Sequence, residues 1–320
     1  MKEFSRRSLL RSSAVTAGAA LVPRLTTWNL VGAAVPQNKP DLKFPTAPRA
    51  RLAVASWPFR AEIESPSNEY RNKSKPGIDL KDFAVKVQRQ FHVPGVEPLS
   101  AHFPSTDQHY LNNFREAIDK AGVHVVDIPV GNANSFYDAD PAARAKAVEH
   151  AKRWVDVAVI LGSPSIRTSI EQAKNAKPNV ELTAQTLRSL VDYGASKNIL
   201  INLENDDLVS EDAFFITKVI DAVHHPYLHA LPDFCNSMMT GNADFNYRAV
   251  TAMFQRAYNI CHVKDSEVGD DGKVFRVDLK KTFDILKASN YRGYCSMEWE
   301  GPEDPYWGTE KLIAASLENL

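Results

Sequence analysis

A chain of 320 residues, 44% hydrophobic and 24% charged, carries enough apolar material for one sizeable core and is ordinary for a globular protein. Length alone admits two domains, but α/β barrels of about 250 residues fold as one. A net charge of −1 leaves no basic excess for gripping phosphate backbones, which argues against nucleic acid as a partner.

Residues 1–36 read as a separate object. SRRSLLRSS places Arg6 and Arg7 side by side, a mild apolar run follows from Ala14 to Val22, and small residues close it at Val31 to Ala33. A charged start, an apolar middle and a small-residue cleavage site describe an export signal, and SRRSLL resembles a twin-arginine signal. The expected location is therefore periplasmic. The apolar run is too short to span a membrane well, so no stable span is expected after cleavage. Lys2, Arg6, Arg7, Arg11 and Arg24 against Glu3 give the segment a charge of +4, so its removal leaves a mature charge of −5. Residues 37–50 read as an extended lead-in.

From Arg51 onward short apolar runs alternate with helical patterns. RLAVASW reads as a strand, and DLKDFAVKVQRQF as a helix with Phe83, Val87 and Phe91 on one face. HVPGVEPLS, VHVVDIPV and SPSIRTSI read as the second, third and fourth strands. Between them lie a helix stopped by Gly122 and a long one with Asp140 as N-cap and Pro141 at its first position. The next helix is expected to start at a Thr183 cap. ILINLEND, YLHALPDFCN, NICHVKDS and YRGYCSMEWEG supply strands five to eight, each followed by a helix. Strict alternation predicts a parallel sheet. Eight short strands favour one (β/α)₈ barrel over residues 51–320, and a doubly wound sheet is the alternative. Against that alternative, SWPFRAEIES lacks the glycine-rich turn expected after its first strand. Residues 60–78 form a long first loop, expected to cover the barrel mouth.

In a (β/α)₈ barrel the site lies at the C-terminal strand ends. Those ends carry Glu97, Asn132, Arg167, Glu204, Asp233, Asn236, His262, Lys264, Asp265, Glu298 and Glu300. Side chains alternate along a strand. Asn202 and Glu204 therefore share one face, as do His262 and Lys264, and as do Ser296, Glu298 and Glu300. Four consecutive strands can bring Glu204, Asp233, His262 and Glu298 together inside the barrel. Three carboxylates and an imidazole cannot be buried uncompensated, so one divalent cation is expected, and Mn²⁺, Mg²⁺, Co²⁺ or Zn²⁺ would suit this mixed donor set. Trp57, Phe59, His102, Trp299 and Trp307 are candidates for stacking on a sugar ring. Cys235, Cys261 and Cys295 lie in or beside apolar runs and read as buried thiols, with a Cys261–Cys295 bond left open.

NLEND, PDFCN, HVKDS and YRGYCSMEWEG, in this order, resemble the xylose isomerase-like barrel superfamily of sugar phosphate isomerases and epimerases over residues 50–320. The resemblance to its D-tagatose 3-epimerase and hydroxypyruvate isomerase branches implies Glu204, Asp233, His262 and Glu298 as the ligands of one metal. It also implies Glu204 and Glu298 as an acid–base pair on either side of the substrate carbon. In such chemistry a carbon next to a carbonyl loses a proton to one carboxylate, passes through an enediolate, and regains a proton from the other. Lys264 would steer a ligand glutamate or polarise a substrate oxygen. Glu97, Asn132, Arg167 and Asn236 are the expected substrate-binding residues.

Two features depart from the resemblance. Asp233-Phe-Cys-Asn236 replaces the Asp-x-x-His of many relatives, and Asn is a poor metal ligand, which counts against the multinuclear zinc site of endonuclease IV. The export signal is the second, since sugar phosphates are cytoplasmic. The expected activity is thus a metal-dependent isomerase or epimerase acting on an unphosphorylated sugar or glycoside derivative. The alternatives are a lyase or hydratase of 3-keto-glycosides using the same metal, and a non-catalytic carbohydrate-binding barrel. The expected partner is a small carbohydrate, and assembly into a homo-oligomer is left open.

Overall fold

The computed structural model describes residues 39–320; the expected export signal lies outside the described residues. Eight barrel positions are filled in chain order. The first two are β1 (Leu52–Ala55) and β2 (Gly95–Glu97), and the third is split into β3 (His124–Val125) and β4 (Pro129–Val130). β5 (Ser165–Thr168), β6 (Leu200–Glu204), β7 (Leu228–Leu231) and β8 (Ile260–Val263) follow. A hairpin of β9 (Ser266–Val268) and β10 (Val274–Arg276) precedes β11 (Tyr294–Met297), the eighth barrel strand. Every pairing around the barrel is parallel.

Two places complete the ring. The third strand changes partner at Asp127: Val126 N donates to Val96 O at 3.0 Å, while Ile128 O accepts from Arg167 N at 3.1 Å. Between the sixth and seventh strands Pro232 ends regular pairing, and closure rests on a bridge between Asp233 and His262, with His262 N donating to Pro232 O at 2.9 Å. This bridge fixes two of the expected ligands against each other through their backbones.

The helices are α1 (Leu80–Phe91), α2 (Gln108–Ala121), α3 (Pro141–Leu161), α4 (Val180–Ser196), α5 (Ala213–Val223), α6 (Ala243–Phe254), α7 (Leu279–Ala288) and α8 (Pro305–Asn319). Each begins with an Asp or Asn whose side chain accepts a backbone N–H of the first turn: Asp79, Asp107, Asp140, Asn179, Asp212, Asn242, Asp278 and Asp304. Such caps satisfy donors that a helix start leaves orphaned, each worth about 1 kcal/mol. α4 starts at Asn179, not at the expected Thr183, whose hydroxyl instead donates back to Asn179 O at 2.6 Å. Its sequence NVELT offers two capping residues, and the earlier one wins because it frees a further turn to pack. Gly122 ends α2 in the left-handed region, as expected, with φ 67°.

Phe83, Val87 and Phe91 of α1 are buried, as are Ile201 and Leu203 on the outward face of β6, in one continuous core between strands and helices. Burying a side chain of this size contributes about 1.5–3 kcal/mol. Inside the barrel a second small cluster of Ala53, Val126, Leu231 and Ile260 forms the floor. Trp299 packs against α8 at Gly308, where a Cβ would come within 2.1 Å of its ring, so only glycine fits there. Cys261 and Cys295 are register neighbours on β8 and β11; both are free thiols, with Sγ atoms 3.7 Å apart. Among the described residues no helix is long and apolar enough to cross a membrane.

Candidate metal centre and cavity

Strand ends deliver four donors to one point. Glu204 closes β6, Asp233 follows Pro232 after β7, His262 lies in β8, and Glu298 follows β11. One donor atom from each lies within 4.8 Å of all the others, and all four residues are buried. His262 Nδ1 is 2.9 Å from Glu204 Oε1, 3.2 Å from Glu298 Oε2 and 3.8 Å from Asp233 Oδ2. The other ring nitrogen, Nε2, lies 2.8 Å from Glu97 Oε1.

This donor set fits a divalent cation. Asp233 turns its Oδ1 to the backbone N–H groups of Cys235 and Asn236, at 2.8 and 2.7 Å, and leaves its fully buried Oδ2 without a hydrogen bond, facing the cluster. Among the described residues this oxygen meets only His262 Nδ1 and Lys264 Nζ, at 3.8 and 3.9 Å, too far for a hydrogen bond. A buried carboxylate oxygen left so is costly unless a cation meets it directly. Glu97 on the far side of the imidazole supplies the outer carboxylate that typically orients a ligating histidine.

The charges respond to crowding. Burial pushes Asp233 up to about 6; Lys264 opposes the rise, while Glu204 and Glu298 add to it. Burial also works against Glu204, but Arg167 and His262 override it and hold this carboxyl down at about 2. Burial resists a charge on His262, yet Glu298, Glu97 and Glu204 drive it well above its usual value.

Above the cluster lies a cavity of about 170 Å³. Of the expected substrate-binding residues, Glu97, Arg167 and Asn236 line it. Arg167 Nη2 pairs with Glu204 Oε2 and lies 2.7 Å from Asp206 Oδ2. Asn236 Nδ2 donates to Glu204 Oε1 at 3.2 Å. Asn132 does not line the cavity: its Nδ2 donates to Ala147 O at 3.0 Å, tying the third loop to α3. The strand end was correctly located, but the side chain turns outward after the irregular third strand. Lys264 is fully buried behind the carboxylates and outside the cavity wall. It donates to Asn236 Oδ1 at 2.7 Å and pairs with Glu300 at 2.5 Å and with Glu267.

Of the aromatic candidates Trp57 alone lines the cavity. Phe59 and Trp299 are core, His102 is buried against Ser56 Oγ at 2.9 Å, and Trp307 is half-exposed on α8. The loop of residues 60–78 does not line the cavity; it folds on itself through the Ile63–Ile78 bridge and an Arg71–Glu64 ion pair. Sequence reading missed Asp127, Glu171, Asp206, Asp207, Glu211 and Glu267. Asp127 sits where the third strand switches partners, accepting from Asn202 Nδ2 at 3.0 Å and from Ser165 Oγ, and burial pushes it up to about 7. Glu171, Asp206, Asp207, Glu211 and Glu267 line the cavity from segments that follow strand ends. NLENDD, with two more acids directly after Glu204, was the available signal.

A profile of the xylose isomerase-like TIM barrel family matches residues 89–320. The chain belongs to that family. Solved structures with the same fold include an L-ribulose 3-epimerase, 16% identical, with a TM-score of 0.63 over 84% of this chain and 95% of that one. They include a 3-keto-D-glucoside 4-epimerase from E. coli, 15% identical, with a TM-score of 0.56 over 82% and 97%. A xylose isomerase-like TIM barrel protein from Mycobacterium smegmatis in complex with magnesium is 16% identical, with a TM-score of 0.61 over 84% and 97%. No curated protein shows significant sequence similarity to the chain. At these identities the likeness establishes the fold; the site has to be argued from this chain's own residues.

Proposed function

We propose that this family member is a metal-dependent isomerase or epimerase of a sugar or glycoside derivative. The observation that carries it is the convergence of Glu204 from the fifth barrel strand and Glu298 from the eighth, both within 3.2 Å of His262 Nδ1 at the base of the cavity. Glu204, Asp233, His262 and Glu298 would hold the cation. When bound, it would polarise a carbonyl and an adjacent hydroxyl of the substrate and so acidify the carbon between them.

The protein groups divide the remaining work. One glutamate removes the proton from that carbon and the other returns one, to the opposite face for epimerisation or to the neighbouring carbon for isomerisation. Arg167 and His262 hold Glu204 at about 2, which keeps it ionised but weakens it as a base. Asn236 and Arg167 fix its two oxygens, so the base is oriented before substrate arrives. Lys264 acts on Glu204 through Asn236 and stands 3.6 Å from Glu298 Oε2, which makes it a positioning residue. The paired arginines near the N-terminus support export, and an exported enzyme meets unphosphorylated sugars.

A second reading, elimination or hydration of a 3-keto-glycoside, draws on Glu171. Burial pushes this cavity-lining carboxyl up to about 8, so it carries a proton that could go to a leaving oxygen. The structurally similar E. coli 4-epimerase has a keto-glucoside substrate, in keeping with that substrate class. Incubation with Mn²⁺ and a panel of ketoses, aldoses and 3-keto-glycosides in deuterated water tests both. Deuterium at the carbon next to the carbonyl with an isomerised or epimerised product supports the first reading, and loss of the aglycone supports the second. Absence of exchange from every substrate, with metal bound, would sink both.

A further inference from the structure

The cavity is chemically lopsided. Eight of its lining side chains carry carboxyls and two, Arg167 and His262, carry basic groups. Both bases are already engaged, His262 within the ligand cluster and Arg167 with Glu204, Asp206 and Ser169. The part of the wall away from the ligands is supplied by Glu171, Asp206, Asp207 and Glu211, from segments following β5 and β6. Glu211 is only 5% exposed; one of its oxygens accepts from the Ile170 amide at 2.7 Å, and its side chain faces the cavity.

Crowding alters what these carboxyls can do. Burial pushes Glu171 up to about 8 and Glu211 well above its usual range; Arg167 opposes both shifts, and Asp206 and Asp207 reinforce them. A carboxyl that keeps its proton can both donate and accept, which matches a sugar hydroxyl.

Barrels often bind phosphate at the loops after the seventh and eighth strands, against a helix N-terminus. Here those loops bring in Glu267 and Glu300, both paired with Lys264. The helix starts beside them are taken: Asp278 accepts from Lys281 N at the start of α7, and Asp304 from Tyr306 N and Trp307 N at the start of α8. An anion arriving there would meet a carboxylate where the helix dipole would otherwise attract it.

We propose that this outer wall is a subsite for the hydroxyl-bearing end of an uncharged sugar, and that it rejects sugars bearing a phosphate or carboxylate at that end. The proposal rests on the sugar-acting reading above and adds the residues that would select an uncharged sugar. Glu171 and Glu211 hold hydroxyls, while Asp206 and Asp207 supply the repulsion.

Calorimetric titration of the Mn²⁺-loaded protein with free ketohexoses and their 6-phosphates tests it. At least one free sugar should bind, with its 6-phosphate ten-fold weaker or more. Glu171→Lys, in a variant with unchanged Mn²⁺ binding and circular dichroism, should narrow that gap at least five-fold. Glu211→Gln, which like a protonated carboxyl both donates and accepts, should leave the free sugar's affinity near the parent's, whereas Glu211→Met should weaken it several-fold. Phosphorylated sugars binding as tightly as free ones, or a gap unmoved by Glu171→Lys, would overturn the subsite and leave the isomerase reading standing. If no sugar of either kind binds or exchanges, the two readings fall together.

Discussion

Glu97 Oε1 lies 2.8 Å from His262 Nε2, the ring nitrogen turned away from the ligand carboxylates. The contact crosses the barrel interior: Glu97 ends β2 and His262 lies in β8, with β1 and β11 between them in the sheet, and both side chains are buried. With Nε2 turned to Glu97, Nδ1 is the ring nitrogen that faces Glu204, Asp233 and Glu298.

This contact yields a graded expectation for metal affinity. Glu97→Gln keeps an acceptor for Nε2–H but loses the charge, and should weaken Mn²⁺ binding by roughly ten-fold. Glu97→Leu removes the acceptor as well and should approach a hundred-fold. Calorimetric Mn²⁺ titrations measure both, and equal affinity in the leucine variant would show that Glu97 does not orient the imidazole.

Glu298→Gln keeps the shape of the side chain and removes its basicity. Proton exchange and turnover should fall by about 10²–10⁴ while the thermal midpoint stays near that of the parent. The same loss is expected for Glu204→Gln. Retained exchange in either variant would remove that residue from the acid–base pair.

Much of this arrangement was legible in the sequence because it obeys short-range rules. Alternation in ILINLEND, CHVKDS and CSMEWE placed Glu204, His262 and Glu298 on inward faces, and all three converge as alternation requires. Eight strand–helix units were countable, and the Asp140–Pro141 helix start stands as read. Three things were not legible. Asn132 turned out of the cavity because the third strand is broken at Asp127, a switch of partners that only the neighbouring strands define. The β9–β10 hairpin in EVGDDGKVFR went unread although GDDG is a turn signal. The acidic wall was missed because it is made between segments, and no single stretch shows that Glu171 and Glu211 face the same hollow.

Lys264 carries an expectation for stability. It is fully buried, and its partners Glu267, Glu300 and Asn236 Oδ1 come from three different segments. Lys264→Met should cost about 3–5 kcal/mol, because it strands buried carboxylates without their cation. Urea unfolding midpoints test this, and sugar exchange in the folded fraction tests its second role. A variant that unfolds at the parent's midpoint would contradict the pairing.

His102 predicts a pH dependence whose sign can be worked out. Burial, with Arg60 nearby, holds this imidazole down at about 3, against 6.5 for an unhindered histidine. Between those values the unfolded chain binds a proton that the folded one refuses. Its stabilising contribution is complete above about pH 6.5 and is lost as pH falls toward 3, at up to about 1.4 kcal/mol per pH unit. Urea midpoints at pH 7.5, 6 and 5 should decline more steeply in the parent than in His102→Gln, and parallel slopes would rule the residue out.

The aspartate and asparagine caps have a consequence for how the barrel can change. Each helix carries its own start signal within its first turn, so no helix depends on the loop above it to begin. The strand-to-helix connections can therefore lengthen, shorten or be exchanged while the scaffold still assembles. A loop grafted from a relative after β5 or β6 would reshape the cavity wall without rebuilding the donor cluster beneath it.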